Sequence, residues 1–128
     1  MVNSVLWVLQ VVLGIYFVGV GVLHFIVPEG LPQAMDWMYV LSDTLHVVSG
    51  SAEILGGLGL ILPAVTRVQP QLVSLAAAGL VIVMIGAVVW HIGREEFTNV
   101  GLNVVLAALL AFVAYGRWRM APLAPRTS

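Results

Sequence analysis

Four stretches of this chain are apolar and almost free of charge, and short polar segments separate them. They run over about residues 5–27, 44–62, 71–92 and 99–116. Each is close to the ~20 residues that a helix needs to cross the hydrocarbon core of a bilayer. Pro28 follows the first stretch, Pro63 the second, and Pro70 precedes the third, while Arg117 and Arg119 lie beyond the fourth. Proline removes a backbone donor and charge resists burial, so these residues are expected to mark the helix ends. An open sheet leaves backbone groups unpaired in lipid and helices do not. The expected fold class is therefore all-α: an integral membrane bundle of four transmembrane helices, forming one domain over residues 1–128.

A weak internal symmetry accompanies this pattern. Gly19 and His24 of the first helix recur as Gly86 and His91 of the third, at the same spacing and in helices of the same direction. Two duplicated helical hairpins would give that relationship. The first apolar run has no Lys or Arg before it and is long enough to span, so it reads as a retained helix rather than a secretory signal. The first loop, residues 29–43, is the longest. Pro32 can open a short helix there, with Leu31, Met35 and Met38 on one side and Trp37 and Tyr39 at headgroup level. That segment reads either as a helix closing the end of the bundle or as a lid over a site.

Composition sharpens the class. Of 128 residues 61% are hydrophobic and only 9% charged, with a net charge of −1; a soluble domain carries about 25% charged residues. A soluble enzyme, a disordered chain and a basic nucleic-acid binder are excluded on that ground. There is no cysteine, hence no disulfide and no thiolate chemistry on this chain. There is no lysine either, which removes Schiff-base catalysis. All five basic residues are arginines, and Arg67, Arg117, Arg119 and Arg126 fall on the side of the two termini. Only Arg94 falls on the other, offset by Glu95 and Glu96 and joined there by the acidic first loop with Glu29, Asp36 and Asp43. The positive-inside rule then places the protein in the plasma (inner) membrane as a multi-pass protein with both termini cytoplasmic.

Polar residues inside the spans carry the candidate chemistry. Glu53 lies roughly 13 Å into the second helix, where a carboxylate costs at least ~2.5–3.5 kcal/mol and must be protonated, paired or in contact with a wet cavity. Its helix face carries Ser49, Gly50, Gly56 and Gly57, small enough to admit a neighbouring helix or to leave a polar pocket. His46 shares that face two turns away. His24, His46 and His91 all lie toward the outer ends of their helices, and Asn99 and Asn103 begin the fourth. One such histidine would be an interfacial hydrogen-bonder. The convergence predicts a polar cavity in the outer half of the bundle. Its expected site residues are Glu53 and His46 as the acid–base pair, and His24, His46, His91 and Asn103 as ligand-binding groups. If a metal or haem binds, His24, His46 and His91 are the expected ligands; a quinone would instead be held by hydrogen bonds. No spacing here is a metal motif. The run Gly56-Gly57-Leu58-Gly59 lies in an apolar helix and is expected to pack helices, not to cradle phosphate; Ala107 and Ala111 offer a second small-residue face.

Several of these residues together resemble the DoxX-like family of small membrane proteins. They are Gly19-x-Gly21-x2-His24-Phe25, the run from Glu53 to Leu60 followed by Pro63, Gly86-Ala87 before His91, and Ala114-Tyr115-Gly116-Arg117. The resemblance covers nearly the whole chain, and Glu53 and His24 are its family-like positions. The family takes its name from the small subunit of a thiosulfate:quinone oxidoreductase, and other members associate with redox partners or assist membrane-protein assembly. The resemblance implies a membrane subunit supporting quinone-linked redox chemistry, with quinone or haem as the implied cofactor and a redox or other membrane protein as partner. Two alternatives stand beside it: an intramembrane acid–base enzyme, isomerase or hydrolase, acting on an apolar epoxide or isoprenoid, and a structural or assembly partner of another membrane protein. The Gly and Ala faces would serve homo-oligomers or a partner helix. Nucleic acid is not an expected partner.

Overall fold

The computed structural model describes residues 1–127. Four long helices form the bundle: α1 (Val2–Ile26), α2 (Asp43–Thr66), α3 (Leu72–Gly93) and α4 (Phe97–Tyr115). All four, the last counted through to Met120, are long and apolar enough to span a bilayer. A 3₁₀ helix (Gln33–Tyr39) fills the first loop, and a π turn (Gly116–Met120) continues α4. α1 packs chiefly on α2 and α3 chiefly on α4, with α2 and α3 joining the two hairpins. We call the end that carries His24, His46 and His91 the histidine end, and the end that carries the chain termini the arginine end.

The helix ends follow local chemistry. α1 stops where Val27 turns left-handed (φ 43°) just before Pro28, its N–H still bonded to Leu23 O. The Ser42 side chain accepts from Leu45 N and caps α2. Pro63 does not end α2, contrary to the sequence-based expectation. The helix continues to Thr66 and ends at Arg67 in the left-handed region (φ 60°). Within a bundle, neighbouring helices offset the hydrogen bond lost at a proline. Here Gln10 of α1 donates to Leu60 O at 2.9 Å, tying α2 to its neighbour at the turn before the proline.

Glycines set how closely the first hairpin closes. A Cβ on Gly57 would lie 2.7 Å from Gly14 O and 2.9 Å from Val18 N, and one on Gly21 would lie 2.9 Å from Gly50 O. These are backbone atoms that cannot swing aside, so α1 and α2 touch main chain to main chain. This approach carries Glu53 up against His24. Gly56 meets Leu80 of α3 and Gly59 meets Ala76, so the same glycine run also seats the second hairpin. The apolar core between the hairpins includes Leu13, Phe17, Leu60, Leu80, Leu106 and Leu110.

Gly57→Ala is expected to destabilise the protein in detergent by about 1–3 kcal/mol, the usual cost of overpacking. Gly19→Ala, which meets nothing within 4 Å, should leave the melting temperature unchanged or slightly raised. Equal melting temperatures for the two variants would show that the helices are not in backbone contact.

Candidate functional site

Three of the site residues expected from sequence form one chain of contacts. His46 Nε2 donates to Met38 O at 2.8 Å, His46 Nδ1 faces His24 Nδ1 at 2.9 Å, and His24 Nε2 lies 3.2 Å from Glu53 Oε2. All three residues are buried, Glu53 with only 5% of its surface exposed. The arrangement constrains the protons. Met38 O is a carbonyl and can only accept, so His46 Nε2 carries a hydrogen. The short Nδ1···Nδ1 contact then needs one hydrogen, and the His24–Glu53 contact needs another. With a proton shared between His24 and Glu53, the triad would hold one proton beyond two neutral imidazoles and a carboxylate. That proton can sit on Glu53, on His24 or on His46, with each move shifting the hydrogen bonds in register. Removing it would set two lone pairs against each other somewhere along the line.

The far end of this relay is open. Neither oxygen of Glu53 accepts a well-aligned hydrogen bond among the described residues, and Oε2 is fully buried. Oε2 lies within ion-pair distance of His24 Nε2 but off the line of a hydrogen bond, so the contact is one of charge and proximity and not an aligned hydrogen bond. Glu53 lines a cavity of about 360 Å³ whose walls come from all four helices and the 3₁₀ helix. Tyr16, Phe17, Val20, Met84 and Leu106 make its wall largely apolar. Lining residues with polar groups include Tyr16, His24, Trp37, Ser49, Glu53, Trp90, His91 and Asn103. His46 does not line it and acts behind His24, and Asn99 does not line it either. A mostly apolar cavity with a few convergent polar groups is the usual form of a small-molecule site.

His91 enters from the opposite hairpin and is set differently. Its Nδ1 donates to Glu96 Oε1 at 2.9 Å, and Arg94 Nε donates to the same oxygen at 3.1 Å. The contact fixes a hydrogen on Nδ1 and leaves Nε2 outside the pair with Glu96. Burial acts to raise the Glu96 carboxyl, but the hydrogen bonds and charges of His91 and Arg94 outweigh it and hold the group below the ordinary carboxylate range. Arg94 in turn stacks over Trp90, 5.0 Å from the ring centroid. Glu96 had been read from sequence only as one of two charges offsetting Arg94. The available signal was an acid placed just past a helix-terminal histidine.

Trp37 closes the cavity from the first loop. Its ring packs 5.8 Å from His24, 5.2 Å from His91 and 6.3 Å from Trp90. It thereby bridges the two hairpins over the site. The 3₁₀ helix that carries it begins after Pro32 and is held by buried Met38 and by the Tyr39 hydroxyl, which donates to Pro28 O at 2.7 Å. The loop thus supplies both the lid and, through Met38 O, the terminus of the histidine relay.

The three histidines do not converge on a common point. Both ring nitrogens of His24 and His46 are engaged within the triad, and His91 faces Trp37 and Glu96. Among the described residues there is no group of three His, Cys, Asp or Glu placed to hold one metal ion.

The fold and site together define a small four-helix membrane protein with a lidded cavity and a buried carboxyl–imidazole relay. The chain belongs to the DoxX-like family, whose sequence profile matches residues 8–113. That stretch holds His24, His46, Glu53, His91 and Asn103. No curated protein and no solved structure matches the chain.

A pH series tests the Glu96 contact. Because the folded carboxyl is held below its ordinary value of 4.5, its contribution to stability is fully present above that value and lost as pH falls through the lowered folded value. The melting temperature of the wild type should therefore exceed that of Glu96→Gln at neutral pH, and the gap should close on acidification. A gap independent of pH would remove the charge from the interaction.

Proposed function

We propose that this protein is a quinone-binding membrane subunit that moves protons for a partner redox enzyme. One observation supports the reading above all: buried His46, His24 and Glu53 form one line of contacts that reaches the wall of a largely apolar cavity. A quinone takes up two electrons and two protons on reduction, and the reading assigns the electron-donating centre to a partner polypeptide. Glu53 presents the triad's one mobile proton to the cavity as His24 and His46 shift theirs toward it; Met38 O can only accept, so the triad is reloaded from the cavity side between turnovers and the quinone's second proton comes from the partner polypeptide. Asn103 donates from α4, and His91, locked by Glu96, accepts from a hydroxyl. Trp37 excludes water, which strengthens each of these hydrogen bonds in the low-dielectric cavity.

The same proton pair favours a second reading, acid–base catalysis on an apolar epoxide or isoprenoid. There Glu53 would protonate the substrate oxygen or a double bond and His24 would restore the proton. Turnover by the isolated protein, lost in Glu53→Gln, separates this reading from the first.

Binding of a decyl-tailed benzoquinone, followed by quenching of tryptophan fluorescence, tests the proposal. Saturable quenching is expected in the wild type. Asn103→Leu should weaken binding by roughly tenfold, the worth of one hydrogen bond in a dry site. Glu53→Gln should bind within a few-fold of wild type, since the amide still hydrogen-bonds, while proton delivery is lost. Failure of the wild type to bind, or binding unaffected by Asn103→Leu, would place the quinone elsewhere or nowhere on this chain.

The arginine distribution supports a histidine end that faces away from the cytoplasm. Single cysteines can report this, because the natural chain has none. A cysteine at Glu29 should react with membrane-impermeant reagents in intact cells, and one at Thr127 only with permeant ones. The reverse pattern would put the cavity in the cytoplasmic half.

A further inference from the structure

The arginine end carries a second feature that the proton relay does not use. Arg117, at the start of the π turn, has only 5% of its surface exposed. Every partner of its guanidinium is neutral. Nε donates to Gln10 Oε1 at 2.6 Å, Nη1 to Asn3 Oδ1 at 2.7 Å and to Ala121 O at 2.8 Å, and Nη2 reaches Asn3 O only at 3.5 Å. Trp7 lies against it, 5.5 Å from the charge to the ring centroid. A guanidinium has five N–H donors, so one on Nη2 remains without a partner among the described residues. No Asp or Glu is available to balance the charge. Glu29, Asp36, Asp43, Glu95 and Glu96 are at the histidine end and Glu53 is in mid-membrane. Arg67 and Arg126 add to the excess, joined by the bond from Arg126 N to Arg67 O at 2.8 Å, and Arg119 stacks on Trp118. Buried charge is normally paired, and here the chain's own Asp and Glu supply no pair.

Beside Arg117 a groove of about 840 Å³ opens between α3 and α4. Ala78, Ala111 and Ala114 keep it open, Leu75 and Ile82 line it, and Tyr115 and Trp118 stand at its mouth. From Ser74 to Ile82 it follows α3 for roughly 12 Å, the scale of a stretch of acyl chain. The tail turns back so that Pro122 and Leu123 form the remaining wall. An apolar slot along two helices that ends at an unbalanced cation, flanked by headgroup-level aromatics, has the chemistry of a lipid with an anionic head.

We propose that the α3–α4 groove is a specific site for one anionic phospholipid, its phosphate at Arg117 and an acyl chain along Ala78 and Ala111. The proposal is independent of what the cavity at the histidine end binds.

The test uses purified full-length protein in neutral detergent, with phosphatidylglycerol or phosphatidylcholine added, read by melting temperature and by native mass spectrometry. Phosphatidylglycerol should raise the melting temperature and remain bound at one equivalent; phosphatidylcholine and inorganic phosphate should do neither. Ala111→Phe and Ala78→Phe fill the groove from opposite walls at exposed positions and leave every arginine in place. Either should abolish the retained lipid and the rise in melting temperature, because the acyl chain is displaced while the charge is kept. Arg119→Gln, outside the groove, should retain it. If both groove-filling variants keep the full effect, or if phosphate alone reproduces it, the binding is diffuse electrostatics or a free-anion site, and the proposal fails.

Discussion

A carboxyl group in the middle of a bilayer has to share or keep its proton, and the contact between Glu53 and His24 is how this protein meets that constraint. Much of the histidine end follows from it. The carboxyl lies near the midpoint of α2, so its partner must come from α1, and α1 comes close enough because Gly14, Gly21, Gly50 and Gly57 bring backbone against backbone. His24 then needs its other nitrogen matched, which His46 does, and His46 needs an acceptor, which is Met38 O on the first loop. The loop is therefore part of the polar network and not only a connection. Its 3₁₀ helix is fixed in place by the relay it terminates, and that placement brings Trp37 over the cavity.

The two ends of the bundle handle polarity in opposite ways. At the histidine end, acids and imidazoles are matched in pairs: Glu53 with His24, and Glu96 with His91 and Arg94. The remaining hydrogen-bonding capacity points inward, to the cavity. At the arginine end the cation Arg117 is hydrogen-bonded by neutral groups of α1 and the tail, and the residue also lines the α3–α4 groove. A matched network inside the bundle suits a small polar-headed molecule enclosed by helices. An unmatched cation at headgroup depth suits the membrane itself.

Much of the fold could be read in the sequence, because four apolar runs of spanning length leave few alternatives. Pro63 misled because the rule that proline ends a helix holds where water replaces the lost hydrogen bond; inside a bundle, neighbouring helices hold the segment together. Glu53, His24 and His46 could be singled out because ionisable groups in apolar helices are costly, and the two-turn spacing of His46 and Glu53 places them on one face. The contact between His24 and His46 could not be read, since it depends on how helices cross. The pairing of His91 with Glu96 lay within five residues and was obscured by treating the loop as bulk charge. Asn3, Gln10 and Arg117 were legible only in part: Asn3 and Gln10 are seven residues apart on one face of α1, but their partner arrives from the other end of the chain.

The shared proton is open to direct observation. Solid-state nitrogen NMR of histidine-labelled protein in bilayers resolves which ring nitrogens carry hydrogen and which are joined through a hydrogen bond. The expected result is a coupling between the Nδ1 atoms of His24 and His46, one bearing the hydrogen, with His46 Nε2 protonated and the coupling disturbed in Glu53→Leu. Two uncoupled imidazoles, insensitive to substitution at Glu53, would contradict the relay and with it the role given to the cavity.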